Sequence, residues 1–266
     1  MRKLIIVSAA LAAAAAVSSV DDAWAKTKKR RGGFAVRAVL APAEDRQTVL
    51  DGNAAFALDT YRRAAATPGN VVVSPISIST ALAMSMAAAQ GSTRDQFAAA
   101  LHLPLEQDAL DVAYQSVLAD LAPENPKGVV LNVANALWIS RELGFRREFV
   151  DSLAEHYAAR AAALPFRTAH ERSRQTINRW CAAQTRGRIQ GILEEGTIGP
   201  DTAFVLTNAV YLAAKWETPF LKAYTEPREF RRAQGGTVSV PFMRRRGEMP
   251  WHAAADFDAV ELPYRG

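Results

Sequence analysis

The chain has 266 residues, 49% hydrophobic and 22% charged, a balance that suits one large or two small folded domains and excludes a polypeptide too polar to build a core. Its single cysteine, Cys181, excludes an intrachain disulfide framework. The net charge of +5 is no sign of a nucleic-acid surface, because Lys26, Lys28, Lys29, Arg30 and Arg31 supply all of it in "KTKKRRGG" and the chain from Gly32 onward is formally neutral.

Arg2 and Lys3 precede an apolar run from Leu4 to Val17, and Ala23-Trp24-Ala25 sets small residues at the −1 and −3 positions of a cleavage site. This is the pattern of a secretory signal peptide over residues 1–25, cut after Ala25; the run is shorter than the roughly 20 residues a spanning helix needs. The expected product is secreted, to the extracellular space or a periplasm, with no membrane partner. Residues 26–46 read as a basic, disordered tail, and residues 47–266 as one domain without internal repeats.

Within that domain, "QTVLDGNAAFALDTYRRAAA" carries Leu50, Ala54, Ala57, Leu58 and Tyr61 on one helical stripe, ended by Pro68-Gly69-Asn70. Val71–Val73 reads as a short buried strand closed by Ser74-Pro75. "SISTALAMSMAAAQG" is a helix of small residues able to lie close to its neighbours, with Ser77 placed as N-cap and Gly91 as stop. "GSTRDQFAAALHLP" opens on a capping box of Thr93 and Gln96. "EQDALDVAYQSVLADLAPEN" is amphipathic through Leu110, Tyr114, Val117, Leu118 and Leu121. "GVVLNVANALWIS" alternates as a strand, with Leu131, Val133, Asn135, Leu137 and Ile139 on one side.

"RREFVDSLAEHYAARAAAL" reads as one helix and "HERSRQTINRWCAAQTRGRI" as another, broken at Gly187. Ile177, Trp180, Cys181 and Gln184 share a face of the latter, so Cys181 reads as a buried, inert thiol rather than a reactive one. A long strand runs from about Thr202 to Ala213. "GTVSVPFMRRR" and "WHAAADFDAVELPY" are further strands; Ala259–Leu262 ends the latter and leads into a turn at Pro263-Tyr264-Arg265-Gly266. This order predicts an α+β fold, with helices segregated from mainly antiparallel sheets.

No catalytic, cofactor or metal site is expected. There is no G-x-S-x-G elbow and no Gly-rich phosphate loop, His102, His156, His170 and His252 are scattered, and Glu194 and Glu195 point apart. What stands out is polar residues inside apolar elements: Ser74 and Ser77 at a loop–helix junction, Thr207 and Asn208 within "FVLTNAVYL". A buried, unpaired Asn costs about 1–3 kcal/mol, so these groups should find partners, either as a local cap or as a cross-element cluster beneath a sheet that must open.

Six blocks in order, "NVVVSPISISTALAMSMAAAQGSTRDQF", "NALWI", "INRWCAAQTRGRI", "DTAFVLTNAVYLAAKWETPF", "VSVPFM" and "VELPYRG", closely resemble the serpin family from roughly Thr48 to Gly266. The resemblance implies a serine-type endopeptidase inhibitor, not an enzyme. Such an inhibitor acts as a suicide substrate whose cleaved reactive-centre loop inserts as a strand into sheet A, with a serine or cysteine protease as partner. Carried over by position, Ser74, Ser77 and Asn208 match the serpin "shutter" under the centre of that sheet. Trp216, followed by the aromatic Phe220, matches the "breach" where the loop enters. Asn178, Thr185 and Gly187 match helix F and its exit. Ala214 stands where many serpins have Gly.

The segment matching helix D, Glu106 to Leu121, has no Lys or Arg, so no heparin site is expected there. "VELPYRG" matches the second strand of sheet B, which places the reactive-site bond beyond these residues. On that reading the chain is the incomplete N-terminal part of a serpin domain, non-inhibitory as it stands and prone to aggregation or self-association. A non-inhibitory secreted binding module and a truncated or decayed gene product are the alternatives.

Overall fold

The alternation in "GVVLNVANALWIS" builds the central strand of the fold, and both of its faces are covered. The computed structural model describes residues 40–121, 129–143 and 146–265, together with the backbone of 3–12. In chain order these form β1 (Lys3–Ala12), α1 (Ala43–Ala65), α2 (Pro75–Met86), α3 (Ser92–Leu101), α4 (Gln107–Asp120), β2 (Val129–Ser140), α5 (Arg147–His156), β3 (Ala159–Leu164), α6 (Phe166–Gln184), β4 (Thr202–Ala214), β5 (Glu226–Arg231), β6 (Thr237–Phe242), β7 (Trp251–Ala253) and β8 (Asp258–Val260). The expected cleavage site at Ala25 and the basic tail at Lys26–Arg31 lie outside the described residues. Two compact units result, Met1–Pro123 with Leu131–Leu212, and Glu124–Val130 with Ala213–Gly266.

The first unit is built on a four-stranded sheet of order β1-β4-β2-β3. On one face Leu137, Ile139 and Leu206 pack with Val49, Met84, Leu110, Tyr114 and Leu153 from the helices α1, α2, α4 and α5. On the other, Ala136, Trp138 and Val205 pack with Phe166, Ile177, Trp180 and Cys181 of α6, and Trp138 meets Trp180 edge-on at 5.5 Å between ring centroids. Alternate residues of β2 and β4 therefore feed two separate cores, and a one-residue slip would exchange them. The expectation of mainly antiparallel sheets fails here, since β1 runs parallel to β4 and β2 parallel to β3. No helix among the described residues is long and apolar enough to cross a membrane.

Several local expectations are corrected. In α1 the buried positions are Val49 and Gly52, while Leu58 and Tyr61 of the expected stripe are 57% and 55% exposed. Closest approach, not apolar content, selects the face: a Cβ on Gly52 would lie 2.7 Å from the His102 carbonyl and 2.8 Å from Leu103 Cδ2. The helix also begins at Ala43, inside the stretch read as tail. Val71–Val73 is not a strand; it has no ladder partner among the described residues, and Val72 is exposed.

Ser74, not Ser77, is the N-cap of α2, with Pro75 at the first helical position, where its missing N–H costs nothing. Met86, not Gly91, ends that helix. Gly91 instead precedes α3, so the Thr93–Gln96 box falls inside it and makes no cap. The helix expected from Arg146 to Leu164 stops at His156. Ala158 takes a left-handed φ of 49°, and the Ala-rich remainder becomes β3, because its backbone pairs with Asn135–Ser140 of β2.

The second unit consists of two antiparallel hairpins, β5–β6 and β7–β8. "WHAAADFDAVELPY" is not one strand: Ala254 N donates to the Phe257 carbonyl at 2.8 Å and folds it back on itself. The strand β5 escaped the sequence reading because its charged residues are exposed throughout and give no alternation. Tyr224, Phe230, Met243, Trp251 and Phe257 are all at least half exposed.

Candidate functional site

Two strands bring the polar groups of the first unit together. Asn208 is fully buried in β4, and its Nδ2 donates to Asn135 Oδ1 at 2.5 Å across to β2. Asn135 Nδ2 in turn donates to the Tyr157 carbonyl at 2.9 Å, where α5 ends. Asn208 Oδ1 has no hydrogen-bond partner among the described residues. One position earlier, and so on the opposite face, Thr207 Oγ1 accepts from Trp138 Nε1 at 2.9 Å. Each amide or hydroxyl here replaces a contact that water would otherwise supply.

Ser74 and Ser77 share a hydrogen bond of 2.8 Å between their hydroxyls, which is local to the start of α2. Among the described residues no hydrogen bond joins this serine pair to Asn208. The expected three-residue cluster is thus two pairs, and the partner that sequence reasoning missed is Asn135. Its signal was present: it is the one polar residue on the apolar face Leu131–Ile139.

A second buried polar network links α4 to α5 and was not foreseen. Asp111 accepts from the Tyr157 hydroxyl at 2.7 Å, from Ser152 Oγ at 3.0 Å and from Gln107 Nε2 at 2.6 Å. Burial, and then the Asp111 charge, push the Tyr157 hydroxyl well above the ordinary tyrosine range, so it stays a donor. Because α4 reads as a plain amphipathic helix, nothing marked Asp111 as inward-facing.

Asn178 of α6, Thr185 at its end and Gly187 just after it, the residues matched to helix F and its exit, make the hydrogen bonds that end the helix and hold the loop that follows. Asn178 Nδ2 donates to the Leu193 carbonyl at 2.9 Å, while its Oδ1 accepts from Ile192 N and Leu193 N at 3.1 and 3.0 Å. Thr185 Oγ1 donates to the Cys181 carbonyl at 2.8 Å and accepts from Ile189 N at 3.1 Å. Gly187 N donates to Ala182 O and Arg186 N to Ala183 O, the paired bonds of a Schellman end. The Arg186 guanidinium lies 5.2 Å from the centroid of the Tyr211 ring on β4. Cys181 is buried, and desolvation pushes its thiol up to about 12, which fits the inert reading.

In the second unit, Trp216 stacks on Tyr264 at 4.8 Å and meets Phe220 edge-on at 5.8 Å. Backbone bonds from Glu217 N to Pro263 O and from Arg265 N to Lys215 O tie the two segments. Pro263–Arg265 is therefore a bridge partner of Trp216, not the open start of a turn. Arg245 reaches into the same aromatic group, donating to the Thr218 carbonyl at 3.1 Å with its guanidinium 5.9 Å from the Phe220 centroid. Among the described residues no group of histidine, cysteine and carboxylate side chains is arranged to hold a metal ion.

The profile of the family described as serpin (serine protease inhibitor) matches residues 51–266. The chain belongs to the serpin family. An uncharacterized serpin-like protein of Thermococcus kodakarensis is 36% identical over 218 residues, covering 82% of this chain and 50% of its own length. The leukocyte elastase inhibitor of Equus caballus is 33% identical over 220 residues, covering 80% of this chain and 57% of its own. The structure of the Arabidopsis serpin AtSerpin1 in its native stressed conformation superposes with a TM-score of 0.74 at 28% identity, over 85% of this chain and 58% of that one. The chain thus spans about half the length of the curated relatives it matches. Serpins are protease inhibitors rather than enzymes, and the serpin match confirms the α+β expectation, with mixed sheets.

Proposed function

We propose that these residues form the receiving half of a serine-protease inhibitor. In this reading β4 and β2 are the sheet that takes up an inserted strand, and residues 1–266 alone do not trap a protease. The observation that carries the proposal is the buried Asn208–Asn135 pair. It ties β4, the strand that an inserted segment would lie against, to its neighbour β2 by a buried amide hydrogen bond, which is costly to break and so holds β4 in place while a strand is added beside it. The Ser74–Ser77 pair and the Trp216–Phe220–Tyr264 aromatic group take the shutter and breach roles in this reading, and Asn178, Thr185 and Gly187 hold the helix that covers the sheet. A serine protease of the class that relatives named leukocyte elastase inhibitor act on is the expected partner. The expected setting is outside the cytoplasm after cleavage at Ala25.

The test mixes the purified chain with trypsin-, chymotrypsin- and subtilisin-like proteases and resolves the products in denaturant. Cleavage without an adduct is expected. A denaturant-resistant band at the summed mass, lost when the protease serine is blocked, would refute the division of labour. N-terminal sequencing of exported material should begin at Lys26.

A further inference from the structure

Tyr157 belongs to both buried networks, to one through its backbone carbonyl and to the other through its hydroxyl. It caps the C-terminus of α5, where the last carbonyls of a helix lack intrahelical partners, and the left-handed φ of 49° at Ala158 turns the chain away into β3. The freed Tyr157 carbonyl takes the Asn135 Nδ2 donor at 2.9 Å. A carbonyl can only accept, so this contact fixes which end of the Asn135 amide faces it, and Oδ1 is left to accept from Asn208 Nδ2. Among the described residues the Asn135 side chain bonds nothing else. At the far end of its ring, Tyr157 donates to Asp111 of α4 at 2.7 Å. Asp111, Tyr157, Asn135 and Asn208 are all buried, none more than 5% exposed.

Tyr157 is thus a strut between α4 and the sheet. Its α4 end is held firmly: Ser152 Oγ and Gln107 Nε2 also donate to Asp111, the Tyr157 ring lies 5.5 Å from that of Tyr114, and His156 Nδ1 donates to Gln115 Oε1 at 2.9 Å one turn further along α4. At its sheet end, the carbonyl is what orients Asn135, so a shift of Tyr157 is passed to the amide that bonds Asn208. We propose that Tyr157 is a positioning residue for the β2–β4 tie and that Asp111 acts on the tie through it, so that the seating of α4 against α5 governs how firmly Asn135 holds Asn208. The weight of this tie in protease trapping rests on the function proposed above; the coupling from Asp111 to Asn208 does not.

The experiment uses the 266-residue chain with isotope-labelled asparagine. NMR follows the exchange of the Asn135 and Asn208 side-chain amide protons, each assigned by its loss in its own alanine variant. In Tyr157→Phe, which removes only the hydroxyl, exchange at both should quicken at least about tenfold. Ser152→Ala also takes a donor from Asp111 but has no bond toward Asn135, and it should leave both amides unchanged. Asp111→Asn keeps an acceptor for the Tyr157 hydroxyl and should stay close to wild type, whereas Asp111→Leu, which keeps none, should match Tyr157→Phe. In urea unfolding, the fall in the folding equilibrium constant caused by Asn208→Ala should be smaller by at least about threefold in Tyr157→Phe than in wild type, since residues of one network do not act additively. Should Asp111→Leu fail to fold, Tyr157→Phe and this double-mutant cycle decide without it. Equal amide exchange in Tyr157→Phe and wild type, quickening as large in Ser152→Ala, or additive effects in the cycle overturns the proposal. A denaturant-resistant protease adduct would sink the trapping reading and leave this coupling untouched, so the two fail independently.

Discussion

Replacing Asn135 by alanine should cost more than replacing Asn208, although Asn208 is the residue that stands out in the sequence. Asn135 makes two buried hydrogen bonds, accepting from Asn208 Nδ2 and donating to the Tyr157 carbonyl. Its loss orphans one donor and one acceptor, and at about 1–3 kcal/mol per buried orphan the expected loss is roughly 2–6 kcal/mol. Asn208→Ala orphans only Asn135 Oδ1, and it also removes the Asn208 Oδ1 that already lacks a partner, so its net cost should be about 1 kcal/mol. Urea unfolding of each variant, followed by fluorescence of the buried Trp138–Trp180 pair, reads the difference; an unchanged slope against urea is needed for the comparison to hold. If Asn208→Ala proves as costly as Asn135→Ala, the amide pair is not the hinge of this network and the hydrogen-bond assignment is wrong.

Gly52→Ala should destabilise the chain by about 1–3 kcal/mol through overpacking, because the new methyl would fall against the His102 carbonyl; a neutral effect in urea unfolding would show that α1 can move away freely. Cys181, with its thiol pushed up to about 12 by burial, should resist iodoacetamide at pH 8 in the native chain and react fully once unfolded, as counted by mass spectrometry. The Arg174 guanidinium, bonded to Glu171 through Nε and Nη2, holds that carboxylate down at about 2 from an ordinary 4.5. Since the folded value is the lower one, the contribution is present above about pH 4.5 and fades as pH falls toward 2. The stability gap between wild type and Glu171→Gln should therefore be constant at neutral pH and close over that acidic window.

Elements whose pattern is set by their own residues were legible: the amphipathic stripe of α4, the alternation of β2, the run of β4 and the inward face of α6 around Cys181. Elements decided by distant partners were not. Val71–Val73 looks like a strand by composition but has nothing to pair with among the described residues. The alanines after Tyr157 favour helix locally, yet the open edge of β2 draws them into β3. α1 turned its Leu58–Tyr61 stripe outward because a glycine gave another face the closer approach. At the site, Asn208 was visible as an anomaly in an apolar strand, while Asn135 was read past because the alternation explained its position without asking what its side chain would bond. Asp111 looked like one more charge on a helix surface until Tyr157 and Ser152, more than forty residues away, closed around it.

The end of α6 couples two quantities that a protein usually adjusts separately. Arg186 sits at a φ of 49°, in the position where a Schellman end most often has glycine, and a left-handed arginine costs on the order of 1 kcal/mol. The same residue lays its guanidinium against Tyr211. Glycine at 186 would relax the backbone and release the ring together, leaving a helix that terminates more comfortably but no longer grips the strand below. The local discomfort is thus a mooring tension: the covering helix stays tied to β4 by a residue that is itself under load, so whatever displaces β4 at Tyr211 is felt at the end of α6.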